Sequence, residues 1–202
     1  MPSSEDVLKE NMLSLLRISE GNGSKWPIFL EKIHLYHVCD GILEHIPRWT
    51  LATFMPGLPP RPEEVLTGAK IRQDELPRAL EETEWDARNL EPDIILDRDD
   101  LYLTIEVKGD SGHFHGTGQP LLYARYLVLT PPGANLERKK RKRAFLLAAP
   151  RRFFEEQRFI MSTWEAWQPE LRRLQEKDLG RNFYWGIVLG EEVKKVRDEL
   201  LA

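Results

Sequence analysis

The chain has 202 residues, of which 41% are hydrophobic, with six Trp and a formal net charge of −4. That is enough apolar material for one domain with a real core, and it excludes a disordered chain. The acidic balance excludes a uniformly basic nucleic-acid coat, so a DNA-binding surface would have to come from local charge segregation. Cys39 is the only cysteine, which excludes an internal disulfide and a cysteine-held zinc or iron–sulfur cluster.

Taken in order, Ser3 to Asp6 read as a helix start, with serine at the N-cap and acids in the first turn. Val7, Leu8, Met12, Leu15, Leu16 and Ile18 give that helix a broad apolar face, which stops near Gly21-Asn22-Gly23. Trp26 to Leu43 reads as a second helix, opened by Pro27 and apolar on more than one face, with His34 and His37 three residues apart. Pro47 to Glu64 is a proline-rich connection with a short strand expected at Trp49 to Phe54. Asp74 to Trp85 reads as an acidic helix with a solvated face.

The most informative stretch runs from Glu91 to Tyr126. Ile94 to Leu96 form a short apolar strand, Asp97 to Asp100 supply a turn, and Leu101 to Lys108 alternate. Leu101, Leu103, Ile105 and Val107 point to one face, and Tyr102, Thr104, Glu106 and Lys108 to the other. Glu106 and Lys108 therefore share a face, and a hairpin of this length brings Asp93 alongside Glu106. Two carboxylates at the ends of paired strands suit a hard divalent cation, and a neighbouring lysine can hold a water or stabilise charge on a phosphate.

The glycine-rich segment from Gly109 to Gly118 carries His113 and His115, and its amides can approach phosphate oxygens. Pro120 suits a first helical turn capped by Gln119, and Gln119 and Tyr123 stack four residues apart on one face, with Arg125 further along. Glu137 to Arg143 is the one strongly basic run, and Lys139, Lys140 and Arg141 are its candidate phosphate contacts. Ala144 to Ala149 and Phe183 to Leu189 read as buried strands. Phe153 to Asp178 reads as helical, and Glu191 to Leu201 as a closing amphipathic helix. Trp164, Trp167 and Trp185 read as core residues, with base stacking as the competing use.

Pro92-Asp93, Glu106-Val107-Lys108 and Gln119 to Tyr123 resemble, in order, the PD, ExK and QxxxY elements of the PD-(D/E)XK nuclease superfamily, in its RecB-like branch. The resemblance covers residues 85–150, and the single cysteine sets this chain apart from the branch that carries a cysteine-held cluster. It implies an α/β fold, a mixed central β-sheet flanked by helices around a restriction-endonuclease-like core. It also implies a Mg²⁺- or Mn²⁺-dependent deoxyribonuclease. Asp93, Glu106 and the Val107 carbonyl would hold metal, Lys108 would act on the water or the phosphate, and Gln119 and Tyr123 would support Lys108 and the DNA strand. The family's first helix lends a Glu or a His to the metal. Candidates here are Glu10, Glu31, His34, His37 and Glu44, with His34 and Glu31 the residues expected to complete the metal site.

The domain expectation is one unit over 1–202, with its core at 85–150, a helical region at 3–84, and helices and a strand at 151–202. No signal peptide and no run of about 18 apolar residues is apparent, so a cytoplasmic protein without a membrane partner is expected. A homo-oligomer is compatible with the sequence. Two other classes remain open: a catalytically silent DNA-binding or assembly module, and a hydrolase of another phosphate ester.

Overall fold

The computed structural model describes residues 1–18, 22–55, 57–69, 91–110, 141–156, 169 and 183–202. Helix α1 (Ser4–Leu16) starts where the sequence places it, on a capping box. The Ser3 hydroxyl accepts from the Asp6 amide at 3.1 Å, and the Asp6 carboxylate accepts from the Ser3 amide at 3.0 Å. The Ser3 hydroxyl and then the Ser3 amide hold the Asp6 carboxyl below its usual range.

Helix α2 (Trp26–Leu30) is much shorter than expected. In place of a helix to Leu43 the chain forms an antiparallel hairpin of β1 (His34–Cys39) and β2 (Ile42–Thr50). The cause is local: Asp40 and Gly41 have φ of 50° and 73°, and Cys39 pairs with Ile42. Asp-Gly is thus the left-handed two-residue turn whose twist matches that of the flanking strands. His34 and His37 consequently lie on opposite faces of a strand, not together on a helix. The strand expected at Trp49 to Phe54 is also replaced, since β2 ends at Thr50 and α3 (Leu51–Phe54) follows.

A 3₁₀ turn at Pro62–Glu64 leads into β3 (Val65–Leu66). The expected hairpin is present as β4 (Ile94–Asp97) and β5 (Leu101–Val107). The two apolar runs form β6 (Lys142–Ala149) and β7 (Phe183–Leu189), followed by α4 (Arg151–Glu156) and α5 (Gly190–Leu201). The acidic helix expected over Asp74 to Trp85 lies outside the described residues, as do Trp164 and Trp167.

The described strands make one mixed sheet in the order β2-β1-β7-β6-β5-β4-β3, with β5, β6 and β7 parallel and the remaining neighbours antiparallel. This is an α/β fold, a mixed sheet flanked by helices. Arg143 to Ala149 are all buried, as a continuous apolar run in a central parallel strand requires. On one face Leu103, Ile105, Val107, Ala144, Leu146 and Ala148 pack with Leu8, Met12, Leu15 and Leu16 of α1 and with Val193, Val196 and Leu200 of α5. Gly190 permits the close approach of those helices, because a Cβ there would stand 3.0 Å from Leu8 Cδ2.

The opposite face carries Thr104, Glu106, Lys108, Arg143, Phe145 and Leu147, all buried. Trp185 is 5% exposed, in the core as expected. Strand β2 forms one outer edge, and its pairing with β1 shifts register between His34 and Tyr36. Pro47 and Arg48, the latter with φ of 66°, fall in that irregular stretch; a proline and a bulge blunt an edge against pairing with another chain. Among the described residues no helix is long and apolar enough to cross a membrane.

Candidate functional site

Because β5, β6 and β7 are parallel, their C-terminal ends share one edge of the sheet, and β4 runs antiparallel to β5 so that its start reaches the same edge. The carboxyl ends of parallel strands are where open α/β sheets bind ligands. Ile94 pairs with Ile105, and extending that register by one residue sets Asp93 opposite Glu106. Asp93 Oδ2 accepts the Val107 amide at 2.8 Å, which anchors the carboxylate at the end of β5. Lys108, one residue past β5, donates its amide to Ala148 O at 2.9 Å and so continues the ladder.

The Lys108 ammonium lies 2.7 Å from Glu106 Oε1, with the two side chains 6% and 4% exposed. Strand alternation explains why they meet, and placement on the inner face explains why they are dry. A buried ion pair is not a stability device: desolvation offsets most of its attraction, and apolar residues of similar size serve as well. The pair sits at the mouth of the parallel strands, on either side of the Val107 amide that anchors Asp93.

Helix α1 brings residues that the sequence alone did not single out. Lys9 Nζ donates to Asp93 Oδ1 at 3.0 Å. The Gly109 amide donates to Glu5 Oε2 at 3.3 Å, and the Asp110 amide to Ser4 Oγ at 2.9 Å. Gly109 is needed for this contact, since a Cβ there would lie 2.5 Å from Ser4 Oγ and 2.8 Å from the Glu5 amide. The i, i+4 spacing of Glu5 and Lys9 puts both on one helix face, a signal present in the sequence. Which strand end that face meets is a tertiary fact.

The other expected site residues separate into three groups. His34 opens β1, three strands from β5 and so about 14 Å away along the sheet; its ring stacks on His45 at 4.6 Å, and Nδ1 lies 3.6 Å from Glu192 Oε1. Glu31 is the exposed C-cap of α2. Neither joins Asp93 and Glu106. Near His34, Tyr36 donates its hydroxyl to Glu192, and burial followed by that bond pushes the phenol well above its usual range.

Arg141 is also misplaced relative to expectation. Leu101 pairs with Lys142 and Val107 with Ala148, so Arg141 and Lys142 lie at the opposite edge of the sheet, about 20 Å from Lys108 at strand rise. Arg141 Nη1 is held by Asp97 Oδ1 at 2.5 Å and by Arg98 O at 2.6 Å. Arg143 is turned inward at 3% exposure, and burial lowers its basicity. Arg151 and Arg152 are exposed just past the end of β6, on the edge where Lys108 lies. Gln119, Tyr123, Arg125, His113, His115, Lys139 and Lys140 lie outside the described residues.

The donor set at the strand ends is two carboxylates with the backbone of Val107 between them. Among the described residues no group of three or more His, Cys, Asp or Glu side chains is placed to hold a metal. Mg²⁺ and comparable hard ions take one or two protein carboxylates and complete their shell with water and phosphate oxygens, so two carboxylates fit such an ion. Each carboxylate here is met by a lysine ammonium, a positive charge where a cation would stand. Comparison of the chain with protein-family models, with curated proteins and with solved structures finds no match.

Proposed function

We propose that the protein is a Mg²⁺- or Mn²⁺-dependent nuclease that hydrolyses DNA phosphodiester bonds. The support comes from one juxtaposition above all: the buried Glu106–Lys108 pair at the end of β5, with Asp93 anchored on the amide of the residue between them. Asp93 and Glu106, with the Val107 carbonyl, are the groups that would hold the ion. Bound there, a divalent ion lowers the pKa of water and neutralises phosphate charge. Lys108, fixed against Glu106, supplies a proton donor to the phosphate oxygens as negative charge builds on them. Water adds to phosphorus and the bridging oxygen leaves, taking a proton. Arg151 and Arg152 extend positive charge along the same strand-end edge, where a phosphate backbone can lie.

A second reading is a silent DNA-binding module of similar fold. What favours it is that both acids already have a lysine partner, so each carboxylate is balanced without metal. End-labelled single-stranded, duplex and branched DNA, incubated with Mn²⁺ or Mg²⁺ and with EDTA as control, separates the two. The nuclease cuts with metal, and Asp93→Asn abolishes cutting without loss of fold by circular dichroism. Metal-independent binding with no cutting favours the silent module. Cutting that survives Asp93→Asn removes this site from the chemistry.

A further inference from the structure

We infer that Lys9 is a built-in counter-cation of Asp93 that must give way when a divalent ion enters, and so sets the metal affinity of the site. This rests on the metal-dependent reading above. Two ammonium–carboxylate pairs flank Val107, and they differ in one respect that matters. The Glu106–Lys108 pair is the more buried, with side chains 4% and 6% exposed, whereas Lys9 and Asp93 are 31% and 19% exposed. The outer pair can therefore exchange its cation without opening the core.

The two oxygens of Asp93 have separate duties. Oδ2 is held by the Val107 amide at 2.8 Å, and Oδ1 carries the Lys9 ammonium at 3.0 Å. An incoming ion finds Oδ1 occupied by a charge of its own sign. Both cannot share that oxygen, because like charges at contact distance repel strongly at a site partly shielded from water. Lysine suits this role, being a compact charge on a flexible stem that can swing aside while its helix stays in place.

The helix is indeed fixed. Leu8 and Met12 on either side of Lys9 are in the core, Ser4 and Glu5 accept the amides of Asp110 and Gly109, and Gly109 has no room for a Cβ. The position of the ammonium on Asp93 is thus set by the packing of α1 on the end of β5. Without metal, Lys9 keeps Asp93 from facing Glu106 as an unbalanced second negative charge. With metal, it is displaced.

The test is Mn²⁺ binding without DNA, followed by calorimetry and by the loss of free-ion electron paramagnetic resonance signal, on wild type, Lys9→Met, Lys9→Gln, Lys9→Arg and Asp93→Asn. Methionine keeps the stem and the helix preference while removing the charge. The expected result is that Lys9→Met and Lys9→Gln bind Mn²⁺ about tenfold tighter or more, that Lys9→Arg stays near wild type, and that Asp93→Asn loses binding. If wild type binds and both neutral variants bind equally or more weakly, Lys9 is only a structural contact; the inference falls and the metal reading stands. If neither wild type nor the neutral variants bind Mn²⁺, or if Asp93→Asn binds as wild type does, the metal reading at Asp93 fails and takes the inference with it.

Discussion

At the scale of single residues, Glu106 and Lys108 carry the sharpest consequence of the arrangement. Each is buried against the other at 2.7 Å, so removing one takes a close opposite charge away from the other in a dry place. Lys108→Met is expected to destabilise the fold by about 3–5 kcal/mol, and the double variant Glu106→Leu/Lys108→Met to recover most of that loss. Urea unfolding of the single and double variants measures the difference. Equal stability of Lys108→Met and wild type would mean that the pair is open to water in solution. The same logic separates fold from chemistry, since the double variant is expected to stay folded while lacking both the metal-holding carboxylate and the lysine of the proposed reaction.

Two glycines show, at the scale of elements, how differently the backbone can depend on a missing side chain. Gly41 has φ of 73° and nothing within 4 Å of an added Cβ, so Gly41→Ala is expected to destabilise the β1–β2 hairpin by about 1–2 kcal/mol through left-handed backbone strain alone. Gly109 is the reverse: its φ lies outside the left-handed region, but a Cβ would press on the Glu5 amide at 2.8 Å. Gly109→Ala is expected to move α1 off the end of β5, at about 1–3 kcal/mol, and to loosen the Lys9–Asp93 contact with it. Thermal unfolding reads both losses. The Mn²⁺ affinity of the two variants separates them, because only the change at Gly109 reaches the site.

Across the whole molecule, the parallel arrangement of β5, β6 and β7 decides which charges face which edge. The strand ends hold Asp93, Glu106, Lys108, Arg151 and Arg152, and the strand starts hold Arg141. On the proposed function, Arg152→Ala weakens DNA binding and lowers the slope of log affinity against log salt by about one, whereas Arg141→Ala leaves the slope unchanged. Binding isotherms at several salt concentrations check this. A larger effect at Arg141 would move the DNA surface to the opposite edge. Arg141→Ala has its own signature: it frees Asp97 at the β4–β5 turn, so its loss should register as stability.

The sequence by itself determined the elements whose signal is local. Ser3 and Asp6 start α1, alternation from Leu101 to Val107 makes β5 and puts Glu106 and Lys108 on one face, and the unbroken apolar run from Ala144 makes a strand buried on both sides. Asp93 beside Glu106 was legible for the same reason, because the length of the hairpin and its period fix the register. The turn of the β1–β2 hairpin is legible too, in Asp40-Gly41, but apolar residues on several faces from Trp26 onward resemble a buried helix as closely as a buried strand. Only the tertiary structure decided the rest. Contacts between segments far apart in the chain carry no local period, so nothing around Lys9 announces Asp93, and nothing around Gly109 announces Ser4. The same holds for charge: in the sequence Arg141 and Arg143 belong to a basic run that reads as a phosphate-contacting surface, and it is the direction of β6 against β5 that turns one onto Asp97 and the other into the core.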